Sequence, residues 1–363
     1  MKKKILFIFG TRPEAIKLFP LIEKLKKDNS IISKVCVSSQ HKGLLKQVLN
    51  LLSIKVHYDL NLMTFNQKVE NLNFLILKKL NQILDIEKPD LVIVQGDTIT
   101  SMSAAMTSKL KKIRIAHVEA GLRTFDNESP WPEEINRTII SRISDLNFCP
   151  TQLNIKNLKK ENIKNLYLTG NTIVDAVQLI LKKKFKTTQN FQKLINNFKK
   201  SKIKIFLTVH RRENFGKPLK RIFDAVKKIS SNDNVEIIYP VHPNPNIKKN
   251  IRILKNISNI KLINPINYYE TLQILKTTDI ILSDSGGIQE EASVFNKKIL
   301  ILREKTERPE ILGKIGYLVG SNTNKIYSYY KKIIKKSSDN KKYLIYGNGN
   351  SANKIIKIIK QKI

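Results

Sequence analysis

Short apolar runs alternate with longer amphipathic stretches along almost the whole chain. Residues 5–9, 34–38, 91–95 and 115–118 read as buried strands, and residues 14–27 and 66–84 between them carry helical periodicity. That alternation is the β-α-β rhythm of a parallel, doubly wound sheet. The rhythm pauses over residues 182–201, a polar, Lys- and Asn-rich stretch that reads as a helix followed by a connector. It restarts with apolar runs at 204–208, 235–239, 260–263, 280–283 and 298–302. Two successive runs predict an α/β protein of two Rossmann-like domains facing a cleft, with ligands bound beyond the carboxyl ends of the strands. No internal sequence repeat accompanies them.

Size and composition agree with this. A chain of 363 residues exceeds a usual single domain, and 41% hydrophobic residues give a real core rather than disorder. No apolar run approaches the roughly 20 residues of a membrane span. The apolar run after Met1-Lys2-Lys3-Lys4 breaks at Gly10 without a small-residue cleavage site, so no signal peptide is expected. Cys36 and Cys149, the only two cysteines, offer neither a disulfide framework nor metal-ligand spacing. A cytoplasmic protein is expected.

Charge changes the picture less than its size suggests. Sixty-six Lys and Arg against thirty Asp and Glu give +36, a value that raises nucleic acid as a partner. The excess is mostly Lys, spread with Asn and Ile over presumed helix faces and linkers, with no Arg stripe among exposed aromatics. Compositional drift accounts for it, and no nucleic-acid partner is expected. What the charge does favour is attraction of small polyanions such as nucleotides.

The unusual residues gather at strand ends. After the first run comes Gly10-Thr11-Arg12-Pro13-Glu14-Ala15-Ile16-Lys17. Gly10 permits a tight turn, Pro13 suits the start of a helix, and a helix amino terminus attracts anions. Arg12 and Lys17 add charge there; the plain alternative is an ordinary turn with solvated bases. Later runs end in Gln95-Gly96-Asp97-Thr98 and in His117-Val118-Glu119-Ala120-Gly121-Leu122-Arg123-Thr124. Asp97 reads either as a helix cap or as an acid/base group. Glu119, directly after a buried strand, is poorly explained by packing. In Trp131-Pro132-Glu133-Glu134-Ile135-Asn136-Arg137, Pro132 begins a helix. Glu133 and Arg137 sit four apart, either as an intrahelical ion pair or with Glu133 as a third carboxylate beside Asp97 and Glu119. Three such groups on one cleft would raise one another's pKa, as acid/base chemistry requires.

The second half offers Thr208-Val209-His210-Arg211-Arg212, where a histidine among cations suits phosphate recognition, and Val241-His242-Pro243. Asp284-Ser285-Gly286-Gly287 opens a helix whose N–H groups face a phosphate, with Glu291 about one turn deeper, where a carboxylate takes both hydroxyls of a ribose. Arg308 lies beyond the next strand.

Taken together, these segments resemble the non-hydrolysing UDP-N-acetylglucosamine 2-epimerases of bacteria. The resemblance runs nearly end to end, from Gly10-Thr11-Arg12-Pro13-Glu14-Ala15 to Thr306-Glu307-Arg308-Pro309-Glu310, through motifs in the family's order and spacing. It implies a GT-B-like pair of domains at 1–169 and 170–350, a helix at 351–363 returning to the first, and a homodimer. It also implies interconversion of UDP-N-acetylglucosamine and UDP-N-acetylmannosamine for surface polysaccharide synthesis, with no cofactor and no metal. The absence of a Gly-x-Gly-x-x-Gly fingerprint agrees. In the implied mechanism a proton leaves carbon 2 while UDP departs from carbon 1, giving a 2-acetamidoglucal. UDP then re-adds with protonation from the opposite face. By the match, Asp97, Glu119 and Glu133 are acid/base candidates, with His210 at the phosphates or in proton transfer. Arg12, Lys17, Arg137, Ser285, Gly286, Gly287, Glu291 and Arg308 match substrate-binding positions.

There are departures. Many bacterial members bind a second UDP-N-acetylglucosamine as activator through a Gln-His pair, here Gln40-His41, and an arginine on a following helix; Arg211 and His242 of that site remain. Leu75 aligns with an arginine of that site, and Lys42 stands where an arginine is usual. Ile266 and Thr271 replace the usual Gln and aromatic near the uracil. Same-fold rivals are an epimerase of a UDP-2,3-diacetamido uronic acid and a hydrolysing epimerase, whose first loops usually differ from Thr11-Arg12-Pro13-Glu14-Ala15. A GT-B glycosyltransferase would need no cluster of three acids on one domain.

Overall fold

The computed structural model describes residues 2–39, 42–62, 67–200, 203–232, 234–335 and 341–363. The chain forms two units, Met1–Ile180 with Tyr346–Ile363, and Leu181–Ile345.

The first unit is built on seven strands: β1 (Lys3–Phe9), β2 (Ile31–Val37), β3 (Tyr58–Asp59), β4 (Leu91–Gln95), β5 (Arg114–Val118), β6 (Leu146–Cys149) and β7 (Leu166–Leu168). They pair in the order β3-β2-β1-β4-β5-β6-β7, and every pairing is parallel. All five residues of β4 are buried, as expected of a strand covered by helices on both faces. The order reverses between β1 and β4, the place where such sheets open a ligand crevice. Four of these strands match apolar runs read from the sequence. β3, β6 and β7 do not, being two to four residues long and fixed by their neighbours rather than by a run of their own.

The second unit repeats the plan with β8 (Ile203–Thr208), β9 (Val235–Pro240), β10 (Ile260–Ile263), β11 (Ile280–Ser283), β12 (Lys298–Ile301) and β13 (Gly316–Leu318). Their order is β10-β9-β8-β11-β12-β13, again all parallel, with the reversal between β8 and β11. Two parallel α/β sheets are therefore present, as the rhythm of the sequence predicts.

The stretch 182–201 differs from its expected order of helix then connector. The helix Thr172–Lys183 ends inside it, residues 184–188 connect, and a second helix spans Gln189–Lys200. Phe191, Ile195 and Phe198 bury one face of that helix at spacings of four and three. Lysines and asparagines between them hide the periodicity.

The chain returns to the first unit at Tyr346, whose carbonyl accepts the Asn171 N–H at 2.9 Å. The divisions at 180/181 and 345/346 stand beside the expected 169/170 and 350/351. The helix Ser351–Lys362 packs on the helix Arg12–Leu25, and Lys360 pairs with Asp28. Its first turn is capped from outside: Asp175 accepts the N–H groups of Ser351 at 3.2 Å and Ala352 at 3.0 Å. Burial pushes the Asp175 carboxyl above its ordinary 3.8, and those two bonds work against that. Among the described residues no helix is long and apolar enough to cross a membrane. Asp175→Ala should destabilise the first unit by about 1–2 kcal/mol, the usual cost of losing an amino-terminal cap. Urea unfolding measures it; an unchanged midpoint would show that the returning helix is held some other way.

Candidate active site

Because β1, β4 and β5 are adjacent and parallel, the loops that follow them leave from one sheet edge. Gly10 ends β1 where a Cβ would collide with the hydroxyls of Ser38 and Thr100, so only glycine lets the loops approach this closely. Glu14 then ties two of them. Its Oε2 accepts from the backbone N–H of Gly10 (3.0 Å), that of Thr11 (2.7 Å) and the Thr11 hydroxyl (2.7 Å). Its Oε1 accepts from the hydroxyls of Thr98 and Ser101, both at 2.8 Å. Burial pushes the Glu14 carboxyl above its ordinary 4.5, and this shell of donors opposes the shift.

Asp97 is not the cap of the next helix. Thr98 fills that place, accepting the Ser101 N–H. Asp97 instead pairs with the buried Arg137 guanidinium, whose Nη1 also donates to Glu134 at 3.1 Å. Glu134 holds the loop after β5 by accepting the N–H groups of Thr124 and Phe125 at 3.0 Å. Beneath this loop His117 is fully buried, and its Nε2–H donates to the Gly96 carbonyl at 2.8 Å. Burial pushes its pKa down to about 4, so it is a neutral prop rather than a proton carrier.

Glu119 follows β5 with φ +69°, a left-handed conformation that a non-glycine residue adopts at a cost of about 1–3 kcal/mol. It is 6% exposed. Lys17 Nζ lies 2.5 Å from its Oε1, Asn171 Nδ2 donates to the same oxygen at 3.2 Å, and Gln95 donates to Oε2. Lys17, expected among nucleotide positions, is thus the buried partner of Glu119. Glu133 opens the helix Glu133–Ile143, one turn before Arg137. Asp97 and Glu119 therefore each carry a cation of their own, Arg137 on Asp97 and Lys17 on Glu119, rather than standing as bare like charges. Arg12, half-buried, forms no ion pair among the described residues.

In the second unit β8 and β11 are neighbours, and their ends bring His210 beside Asp284 and Ser285. His210 stacks on His242 with ring centroids 5.7 Å apart. Ser285 caps the helix Gly286–Val294, and a Cβ at Gly286 would lie 2.6 Å from Arg308 Nη1. Glycine here lets a guanidinium sit against the amino terminus of the helix. Glu290 and Glu307 hold it there, at 2.6 Å from Nε and Nη1 respectively, and Arg303 grips Glu307 from the other side at 2.8 Å. Gly287 makes no tight contact. Glu291 is buried and accepts the Tyr268 hydroxyl at 2.8 Å. Thr271 Oγ1 donates to the Asn267 carbonyl, and Leu75 packs against the core of the first unit. Gln40 and His41 lie outside the described residues. Sequence reasoning gave no separate role to Glu14, Gln95, Glu134, Asn171 or Asp284. Only their places within strand-end motifs could have flagged the first three and Asp284.

Burial pushes the Glu307 carboxyl up, but Arg308 and Arg303 outweigh it and hold it well below its ordinary 4.5. A lowered folded pKa contributes stability that is complete above the unfolded value and lost as pH falls through the folded one. Glu307→Gln should therefore be less stable than the parent chain at neutral pH, with the gap closing on acidification below 4.5. Denaturant midpoints across pH check this; a constant gap counts against the arginine pairing.

Comparison with known proteins identifies the family. A family model described as UDP-N-acetylglucosamine 2-epimerase matches residues 23–360. A UDP-N-acetylglucosamine 2-epimerase from Campylobacter jejuni is 42% identical over 375 residues, covering 99% of this chain and 98% of the relative. The crystal structure of UDP-GlcNAc 2-epimerase from Neisseria meningitidis bound to UDP-GlcNAc superposes with a TM-score of 0.90 at 38% identity, covering 99% of this chain and 100% of that one. The Methanocaldococcus jannaschii UDP-GlcNAc 2-epimerase in complex with UDP-GlcNAc and UDP gives 0.86 at 36% identity, covering 99% of both chains. The chain belongs to the UDP-N-acetylglucosamine 2-epimerase family of isomerases.

Proposed function

We propose that this chain interconverts UDP-N-acetylglucosamine and UDP-N-acetylmannosamine by eliminating UDP and adding it back across a 2-acetamidoglucal. The observation that carries the reading is the pair of carboxylates after β4 and β5, Asp97 and Glu119, each fixed by its own buried cation. Inverting carbon 2 requires a proton to be taken from one face and given to the other. Asp97, Glu119 and Glu133 supply those groups, and Lys17 and Arg137 orient two of them and carry the compensating charge. A carbon acid beside an acetamido group is weak, so departure of UDP must be strongly assisted. In the first unit Arg12 serves as an anion ligand for the substrate; in the second, Arg308 and the N–H groups at Gly286 and Gly287 serve the pyrophosphate, with His210 acting at the phosphates or in proton transfer. Glu291, oriented by Tyr268, takes the ribose hydroxyls. The relatives with UDP-GlcNAc and UDP bound support the same ligands here.

The test is incubation with UDP-N-acetylglucosamine in deuterated water. Deuterium should enter carbon 2 of both epimers, and glucal should be detectable. Asp97→Asn, Glu119→Gln and Glu133→Gln should each lower turnover by about 10²-fold or more, the scale of a lost general acid or base. Epimerisation without exchange, or near-parental turnover in all three variants, refutes the reading.

The activator response follows from Leu75. Its side chain packs on the apolar core formed with Leu72 and Ile76, so it offers no cation to a second nucleotide. A charged hydrogen bond contributes about 1.5–3 kcal/mol, and its loss weakens binding about ten-fold or more. Progress curves from pure UDP-N-acetylmannosamine should therefore show little or no lag. A long lag abolished by trace UDP-N-acetylglucosamine would show that the activator site works without an arginine at this position.

A further inference from the structure

Asp284 stands at the end of β11 with no solvent exposure, and the roles proposed above do not use it. Ser283 is paired with Thr208 in the sheet, so the residues just beyond each strand meet. The Asp284 carboxylate accepts the backbone N–H of His210 at 3.2 Å to Oδ1 and 3.0 Å to Oδ2. Oδ2 also accepts the Arg211 N–H at 2.9 Å and the Asn214 side-chain amide at 3.0 Å. Oδ1 faces the ring of His210, 3.4 Å from Nδ1. A carboxylate that accepts three N–H groups meets the ring as an acceptor, so Nδ1 is the nitrogen that carries the hydrogen there.

The neighbouring ring is fixed the other way. His242, stacked on His210 at an interplanar angle of 21°, accepts the Asn244 N–H on its Nδ1 at 3.2 Å. That nitrogen must be unprotonated, which puts the proton of the neutral His242 ring on Nε2. The two stacked imidazoles thus face different partners through Nδ1, a carboxylate oxygen at His210 and a backbone N–H at His242.

We infer that Asp284 is a positioning residue that holds His210 as the Nδ1–H tautomer, so that Nε2 is the nitrogen that takes up and returns a proton. This rests on the proposed action of His210 at the substrate. It decides between the two uses open to that residue: the neutral ring presents a lone pair at Nε2, and it donates to a phosphate oxygen only after taking up a proton. No bond other than N–H is made or broken at the ring, and the proton gained at Nε2 is the proton later given back.

Histidine labelled with ¹⁵N tests this directly. The chain has five histidines, so long-range proton–nitrogen correlation resolves them, with His210 assigned by its loss in His210→Gln. Above its titration, His210 in the parent protein should show a protonated Nδ1 and an unprotonated Nε2. Asp284→Asn, checked for fold by circular dichroism, should move His210 toward Nε2–H and lower kcat by about tenfold or more with KM little changed. Adding His210→Gln to it should cost little beyond His210→Gln alone, because the two act as one unit. A parent His210 with its proton on Nε2 overturns the inference, as does a folded Asp284→Asn whose tautomer is unaltered. If Asp284→Asn does not fold, the parent spectrum alone decides. The expected spectrum together with full turnover in His210→Gln would leave the tautomer standing and remove His210 from the proposed reaction.

Discussion

Parallel pairing around a reversal of strand order is the constraint on which the rest depends. Every strand of a parallel sheet points the same way, so all carboxyl ends share one edge, and adjacent loops diverge where the order reverses. In the first unit this happens between β1 and β4, in the second between β8 and β11. Lys17 and Glu119 are 102 residues apart, and His210 and Asp284 are 74 apart, yet each pair meets at such an edge. The backbone thus sets which loops are neighbours, and side chains such as Glu14, Glu134 and Asp284 set how rigidly they are joined.

The chemistry placed there is costly to hold. Lys17 and Glu119 are 4% and 6% exposed, and burying two charges often costs as much as their attraction returns. Glu119 adds a left-handed backbone on top of that burial. A core optimised for stability alone would be as well served by two apolar residues of similar volume. Strain and buried charge therefore coincide at one residue, whose two oxygens are further held by Gln95 and Asn171.

Much of this was legible in the sequence, and the reasons differ from part to part. Buried parallel strands are short apolar runs, so β1, β4, β5, β8, β10 and β11 stood out. β3 and β7 lacked such a run, and the helix Gln189–Lys200 was masked because only three apolar residues mark its buried face. Glu119 is visible because a carboxylate immediately after an apolar strand has no packing explanation, whereas Asp97, two residues beyond β4, reads either as a helix cap or as an acid/base group. Partner choice was not visible. Lys17 reads as a nucleotide ligand because its partner lies far along the chain, the cap alternative for Asp97 falls one residue too early, and nothing local in Asp284-Ser285-Gly286 announces three N–H donors arriving from residues 210–214.

The same distinction between local pattern and partner explains why the net charge of +36 says little about the reaction. Surface lysines act on a nucleotide through a field that salt screens over about 10 Å at 0.1 M. They attract anions without orienting them. At the sheet edges three cations are fixed by acids: Lys17 by Glu119, Arg137 by Asp97 and Glu134, Arg308 by Glu290 and Glu307. Around Arg303 and Arg308 the carboxylates Glu213, Glu290 and Glu307 balance the charge, so these guanidiniums are placed by acids rather than added to a positive patch. Removing surface lysines would weaken that field, whereas removing one of these acids would release a cation that it now holds in place. Fixed pairing thus separates these few cations from the surplus of lysines carried by the rest of the chain.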